Sequence, residues 1–141
     1  MASKDLHNHV LLANALSSTA IGSNTTTNGA SIDTYPDISY ESLEIEIRST
    51  AYTDGTYTPN IQDSPDGVTF TNVDSSFLIP DDGTAESGAV ITANNQIKRL
   101  GYVGKEQFVR LQIVSTGVTT GATLIATAIL SNPSNLPTPA N

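Results

Sequence analysis

Residues 41–48 alternate without a break. Leu43, Ile45 and Ile47 are apolar, while Ser42, Glu44, Glu46 and Arg48 are polar. A period of two puts the first set on one face of a strand and the second on the other, which predicts an antiparallel strand with one wet face. Phe108–Val114 repeats the pattern, with Val109, Leu111 and Ile113 facing a core and Arg110 and Gln112 opposite. Between Asp54-Gly55 and Pro65-Asp66-Gly67, both turn signals, Tyr57, Pro59, Ile61 and Asp63 alternate with Thr58, Asn60 and Gln62. Val68 to Val73 alternates again, so residues 52–73 read as a hairpin. Pro59 cannot donate to a ladder, so its strand is expected at an edge or at a bulge.

Thr123–Leu130 is the most apolar run and is expected in the centre of a sheet with both faces covered. It could also be helical; its short length and the Gly-rich turns beside it favour strand. Ala30–Asp33, Ser76–Ile79, Ala89–Thr92 and Gln96–Lys105 complete about eight short strands. Gly101 and Gly104 within the last of these extended runs suggest a bulge or a close approach. The fold class is all-β: a single-domain antiparallel β-sandwich or barrel with extended N- and C-terminal arms. Residues 1–29 read as an N-terminal arm and linker, 30–131 as the sandwich, and 132–141 as a Pro-rich tail. Val10–Leu16 could be a turn or two of helix, or a strand.

Charge and cysteine usage narrow the function. The chain has no Cys, which removes disulfide scaffolds, thiolate metal sites and Cys nucleophiles. Its formal charge of −8 argues against a nucleic-acid partner, because that binding rests on Lys and Arg neutralising phosphates. No run approaches the ~20 apolar residues of a membrane span, and no secretion signal is visible. No catalytic, cofactor-binding or metal residue is assigned. His7 and His9 sit in a polar stretch, where a flexible base is poorly oriented. The Asp81–Glu86 loop offers carboxylates but lacks the spacing of a calcium loop. No cofactor is expected, and the chain is not expected to be an enzyme.

Four motifs then occur in order. They are Thr53–Thr58, Gln62–Val73, Lys98–Lys105 with Phe108-Val109-Arg110, and Ala128–Pro133. Together they resemble a family of small tailed-bacteriophage head proteins encoded near the major capsid protein, over about Asp33 to Pro133. The resemblance implies a virion protein at the capsid surface. It would decorate or cement the shell, with the major capsid protein as partner, and would bridge capsomers. By analogy with other cement proteins it implies a homo-oligomer, a trimer ahead of a dimer.

Contact candidates are Val10, Leu11, Leu12 and Leu16 in the N-terminal segment and Pro133, Leu136 and Pro137 in the tail. A basic cluster, Lys98, Arg99, Lys105 and Arg110, is added to these. That cluster has a second reading, internal pairing with Glu44 and Glu46. Deleting residues 1–16 is expected to abolish shell binding and leave the fold. The alternative function is a glycan- or host-surface-binding module on a virion fibre, with Tyr35, Tyr40, Tyr52, Tyr57 and Tyr102 as its aromatic platform.

Overall fold

The computed structural model describes residues 6–36, 39–80 and 89–134. Among the described residues, ten strands form two packed five-stranded sheets, antiparallel throughout. The first sheet, sheet A, runs β1 (Val10–Ile21), β10 (Ala122–Pro133), β4 (Tyr40–Tyr52), β8 (Ile97–Tyr102), β7 (Leu78–Pro80). Sheet B runs β2 (Thr26–Asn28), β9 (Phe108–Thr116), β5 (Thr56–Ser64), β6 (Thr71–Asn72), with β3 (Ile32–Asp33) also on β9.

The inward positions are those the alternation marks. Ile45, Ile47, Leu100, Leu124 and Leu130 from sheet A share one core with Tyr57, Ile61, Leu111 and Ile113 from sheet B. All are fully buried. The fold is therefore the expected β-sandwich.

Two loops cross between the sheets at one end, and Asp54 ties them together. Its carboxylate accepts the Thr119 hydroxyl and the backbone N–H groups of Thr119, Thr120 and Gly121, the last at 2.9 Å. These bonds, the Thr119 hydroxyl foremost, hold the carboxyl down at about 2, against the ordinary 3.8. Gly121 has φ +108°, and a Cβ there would strike the Ile21 carbonyl, so the turn needs glycine.

Pro59 sits where its missing N–H costs nothing. The backbone of Tyr57 faces away from β9, exchanging hydrogen bonds of 3.0 and 2.9 Å with Ile91, and the Ile61 carbonyl accepts from Val73 at 3.0 Å. Pro59 lies in phase between them, so its nitrogen points to the same outer side.

The hairpin differs from expectation in its second arm. Only Thr71–Asn72 pairs with β5, and Val68 is 81% exposed. Asp66 is the reason: its carboxylate accepts the N–H groups of Val68 and Thr69 at 2.9 and 3.0 Å, and the Ser64 hydroxyl at 2.8 Å. A side chain that captures these donors holds residues 64–69 as a loop. Residues 89–92 likewise give no strand, only the Ile91 bridge to Tyr57.

The N-terminal arm needs correction. Residues 10–21 are β1, paired with β10 from Val10↔Ser131 to Ile21↔Ala122. Alternation was hidden because the strand is irregular, with register shifts between Asn14 and Leu16 and between Leu16 and Thr19. At the first shift the Ala15 carbonyl accepts from Ala30 N–H at 2.9 Å, while Gly29 donates to Leu111 of β9 at 2.7 Å. This stitches the edge of sheet A to sheet B. Part of the expected linker is β2. The tail also begins later than expected, because Pro133 still pairs with Tyr40 in β10. Deleting residues 1–16 would remove half of β1, with buried Ala15 and Leu16, so it is no test of an arm.

Candidate functional site

Two outward faces remain once the core is filled. On sheet A the register lines up one row across all five strands: Leu12, Ile129, Glu44, Gly101, Ile79. Leu12 and Ile79 are 51% and 57% exposed. β10 is central, as expected, but its outer face is only half-covered: Ile125 and Ile129 show to solvent between Ala and Leu residues that are buried.

Gly101 is a point of close approach and makes no bulge. It keeps regular register with Glu44 and Ile79, and a Cβ there would sit 3.3 Å from the Ile79 Cβ. Without a side chain it leaves a hollow of about 280 Å³, walled by Ile79, Val103 and Ile129 and rimmed by Glu41 and Glu44. A more polar hollow of about 270 Å³ lies nearby, bordered by Tyr102, Lys105 and Glu106. Its Tyr102 phenol donates to Asp63 at 2.8 Å; burial, then that bond, push its pKa up.

The outer face of sheet B is different in kind. Three adjacent rows read Thr26–Val114–Thr58, Asn28–Gln112–Asn60 and Arg110–Gln62–Asn72. Gln112 donates to Asn28 at 2.9 Å, Arg110 Nε to Gln62 at 2.8 Å, and Gln62 to Asn72 at 2.8 Å. The Arg110 guanidinium also lies 4.4 Å from the centroid of the Phe70 ring.

The predicted contact residues scatter over this frame. Leu12 is on the outer face of sheet A, Val10 and Leu11 are half-buried in β1, and Pro133 is half-buried in β10. Leu16 is corrected: at 5% exposure it belongs to the core, because the shifted register turns it inward opposite Ala126. Leu136, Pro137 and the Asp81–Glu86 loop lie outside the described residues.

The basic cluster does not come together. Lys98 and Arg99 are on β8 in sheet A, Arg110 is on β9 in sheet B, and Lys105 is in the loop between. Arg99 lies 3.6 Å from Glu44, the internal pairing foreseen as the second reading, though both side chains are well exposed. The neighbouring Arg48 holds Glu46 at 2.6 Å.

The tyrosine platform fails as well. Tyr40, Tyr57 and Tyr102 are buried, and half-buried Tyr52 meets Tyr57 edge-on at 6.3 Å; of the five, Tyr35 is exposed. His7 and His9 lie in a short 3-10 turn before β1, and no group of metal-holding side chains occurs among the described residues. No helix among them is long and apolar enough to cross a membrane.

Sequence reasoning missed the hollow and the amide rows, since both depend on which strands are neighbours. The lone signal was Gly101 inside an extended run.

No family model and no curated protein matches the chain. Among solved structures, the PBSX exported protein XepA is similar with a TM-score of 0.59 at 11% identity, over 93% of this chain. The chain spans 40% of the length of XepA. The SPBc2 prophage-derived protein YomS follows at TM-score 0.48 and 13% identity, over 87% of this chain and 93% of its own. The coat protein of Tobacco streak virus stands at 0.35 and 17%, over 99% and 97%. The XepA likeness shows a shared fold: this chain is a two-sheet antiparallel β-sandwich of a kind also present in a PBSX protein.

Proposed function

We propose that this chain is a structural virion protein that docks on an assembled bacteriophage capsid and stabilises it by bridging capsomers. The hollow over Gly101 carries the reading. It is a hollow walled by the apolar Ile79, Val103 and Ile129, with Glu41 and Glu44 at its rim. Such a socket suits an apolar side chain of the major capsid protein flanked by a basic one. The net charge of −8 favours approach to a basic surface. The resemblance of the motif order to phage head proteins and the fold shared with XepA are in keeping with this reading. Binding restricted to the assembled shell would stabilise it by mass action, and many symmetric copies would add their modest contacts. In this reading the chain makes and breaks no bond, and it acts as a homo-oligomer, a trimer ahead of a dimer.

The test is co-sedimentation of the purified chain with shells of its phage lacking it, with occupancy read by electron microscopy. The wild-type chain is expected to saturate the shells. Ile79→Glu and Ile129→Glu are each expected to cut occupancy at least ~10-fold at fixed concentration, a loss of ~1.4 kcal/mol or more. Absence of binding, or full occupancy by both variants, would overturn the proposal.

A further inference from the structure

We infer that the outer face of sheet B is a second binding site, for a neutral glycan chain. Three observations on that face converge. Its three rows hold nine residues from four strands, and none of the nine is a carboxylate, in a chain with 14 Asp and Glu. Five of the nine are primary amides and one is a guanidinium. The rows are also tied by their own hydrogen bonds: Gln112 to Asn28, Arg110 to Gln62, and Gln62 to Asn72.

Each of these bonds uses one donor. A primary amide has two N–H donors and two acceptor lone pairs, and a guanidinium has five donors. The remaining capacity mixes donors and acceptors, which is what a row of sugar hydroxyls requires. Because four of the five amides, Asn28 with Gln112 and Gln62 with Asn72, are held by one another, ordering them on a ligand costs little conformational entropy. Successive outward positions on a strand lie roughly 7 Å apart, so the rows present polar groups at a regular interval to an extended ligand. Val114, 37% exposed, offers apolar surface for the C–H face of a sugar, and the Phe70 ring, lying under the Arg110 guanidinium, helps hold that side chain in place.

Other ligands fit less well. One Arg on a chain of charge −8 cannot hold a polyanion, which excludes nucleic acid and acidic polysaccharides. The face also lacks the apolar centre of a protein interface. The site is on the sheet opposite the proposed docking hollow, so a docked chain would turn it away from the shell.

Native gel electrophoresis of the full chain tests this, in gels cast with barley β-glucan, galactomannan, xylan or dextran, and with alginate as the acidic arm. Retardation is expected in at least one neutral gel and not in alginate. Asn60→Ala with Gln112→Ala is expected to weaken it at least ~10-fold, equivalent to ~1.4 kcal/mol. Gln112→Glu, which places a charge among the amides, should do the same. Both sites are surface positions, and an unchanged melting temperature verifies that the variants fold. Ile79→Glu on the other sheet should leave retardation intact, and Asn60→Ala with Gln112→Ala should leave shell occupancy intact. No retardation in any neutral gel, equal retardation by the variants, or stronger retardation in alginate would overturn the inference.

Discussion

The two outward faces of the sandwich arise from the same alternation but differ in what the alternate positions carry. On sheet A they carry Leu, Ile, Glu and Arg around a glycine, so the face has an apolar hollow with charges at its margin. On sheet B they carry Thr, Asn and Gln with one Arg, so the face is a hydrogen-bonded polar lattice. Charged pairs on the first are exposed and contribute little each. On the second, the two hydrogen bonds that meet at Gln62 are partly buried, and removing that side chain breaks both. A single core beneath both lets a small domain offer two unlike surfaces without two domains.

The largest effects test whether both faces stand on that one core. Leu100 backs the first face and Leu111 the second, and both are fully buried. Leu100→Ala and Leu111→Ala should each cost about 2–5 kcal/mol in denaturant unfolding. Each variant should still unfold in one transition, by circular dichroism and by calorimetry alike. Two separated transitions would mean that the faces rest on independent units.

The next test sets the faces against each other. Gln62 is 8% exposed and links Arg110 to Asn72, so Gln62→Ala removes two part-buried hydrogen bonds, one of them to a charged group, and should cost about 1–3 kcal/mol. Arg99→Ala breaks an ion pair whose side chains are 56% and 39% exposed, and should cost less than about 1 kcal/mol. If urea midpoints ranked the two variants the other way, the contrast between polar lattice and charged rim would fail.

The smallest effect concerns the loops joining the sheets. The Asp54 carboxyl titrates at about 2 in the folded chain, below its ordinary 3.8. A depressed value favours the folded state fully above pH 3.8, and that contribution fades as pH falls toward 2. Hydrogen bonds to Asp66 and Asp74 lower their carboxyls too and add in the same direction. The melting temperature should therefore fall between pH 4 and 2, and less steeply in Asp54→Asn. An equal slope in both proteins would show that Asp54 does not couple the loops.

Much of the fold was legible because solvent exposure acts residue by residue. In β4 and β9 the side chains that needed water were visible as every second letter, and the structure buries the others. β1 was left between helix and strand because its two register shifts break the period. The second hairpin arm was over-read because Asp66 competes for backbone donors, an effect that no hydropathy pattern shows. The basic cluster was over-read for a different reason. Arg99 and Arg110 lie close along the chain, but β8 and β9 join different sheets, so the two guanidiniums face opposite sides of the molecule.

By itself the sequence determined the β class, the inward and outward set of most strands, an interrupted ladder at Pro59 and the acidic, cysteine-free composition. Those follow from local chemistry: side-chain polarity, a period of two, and a ring that cannot donate. Only the tertiary structure decided which strands are neighbours, and hence that Gly101 lies in a row with Ile129, Glu44 and Ile79, and that Gln62 joins Arg110 to Asn72. Strand pairing is a long-range choice, made by the whole core at once. A surface assembled from four or five strands exists only after that choice is made.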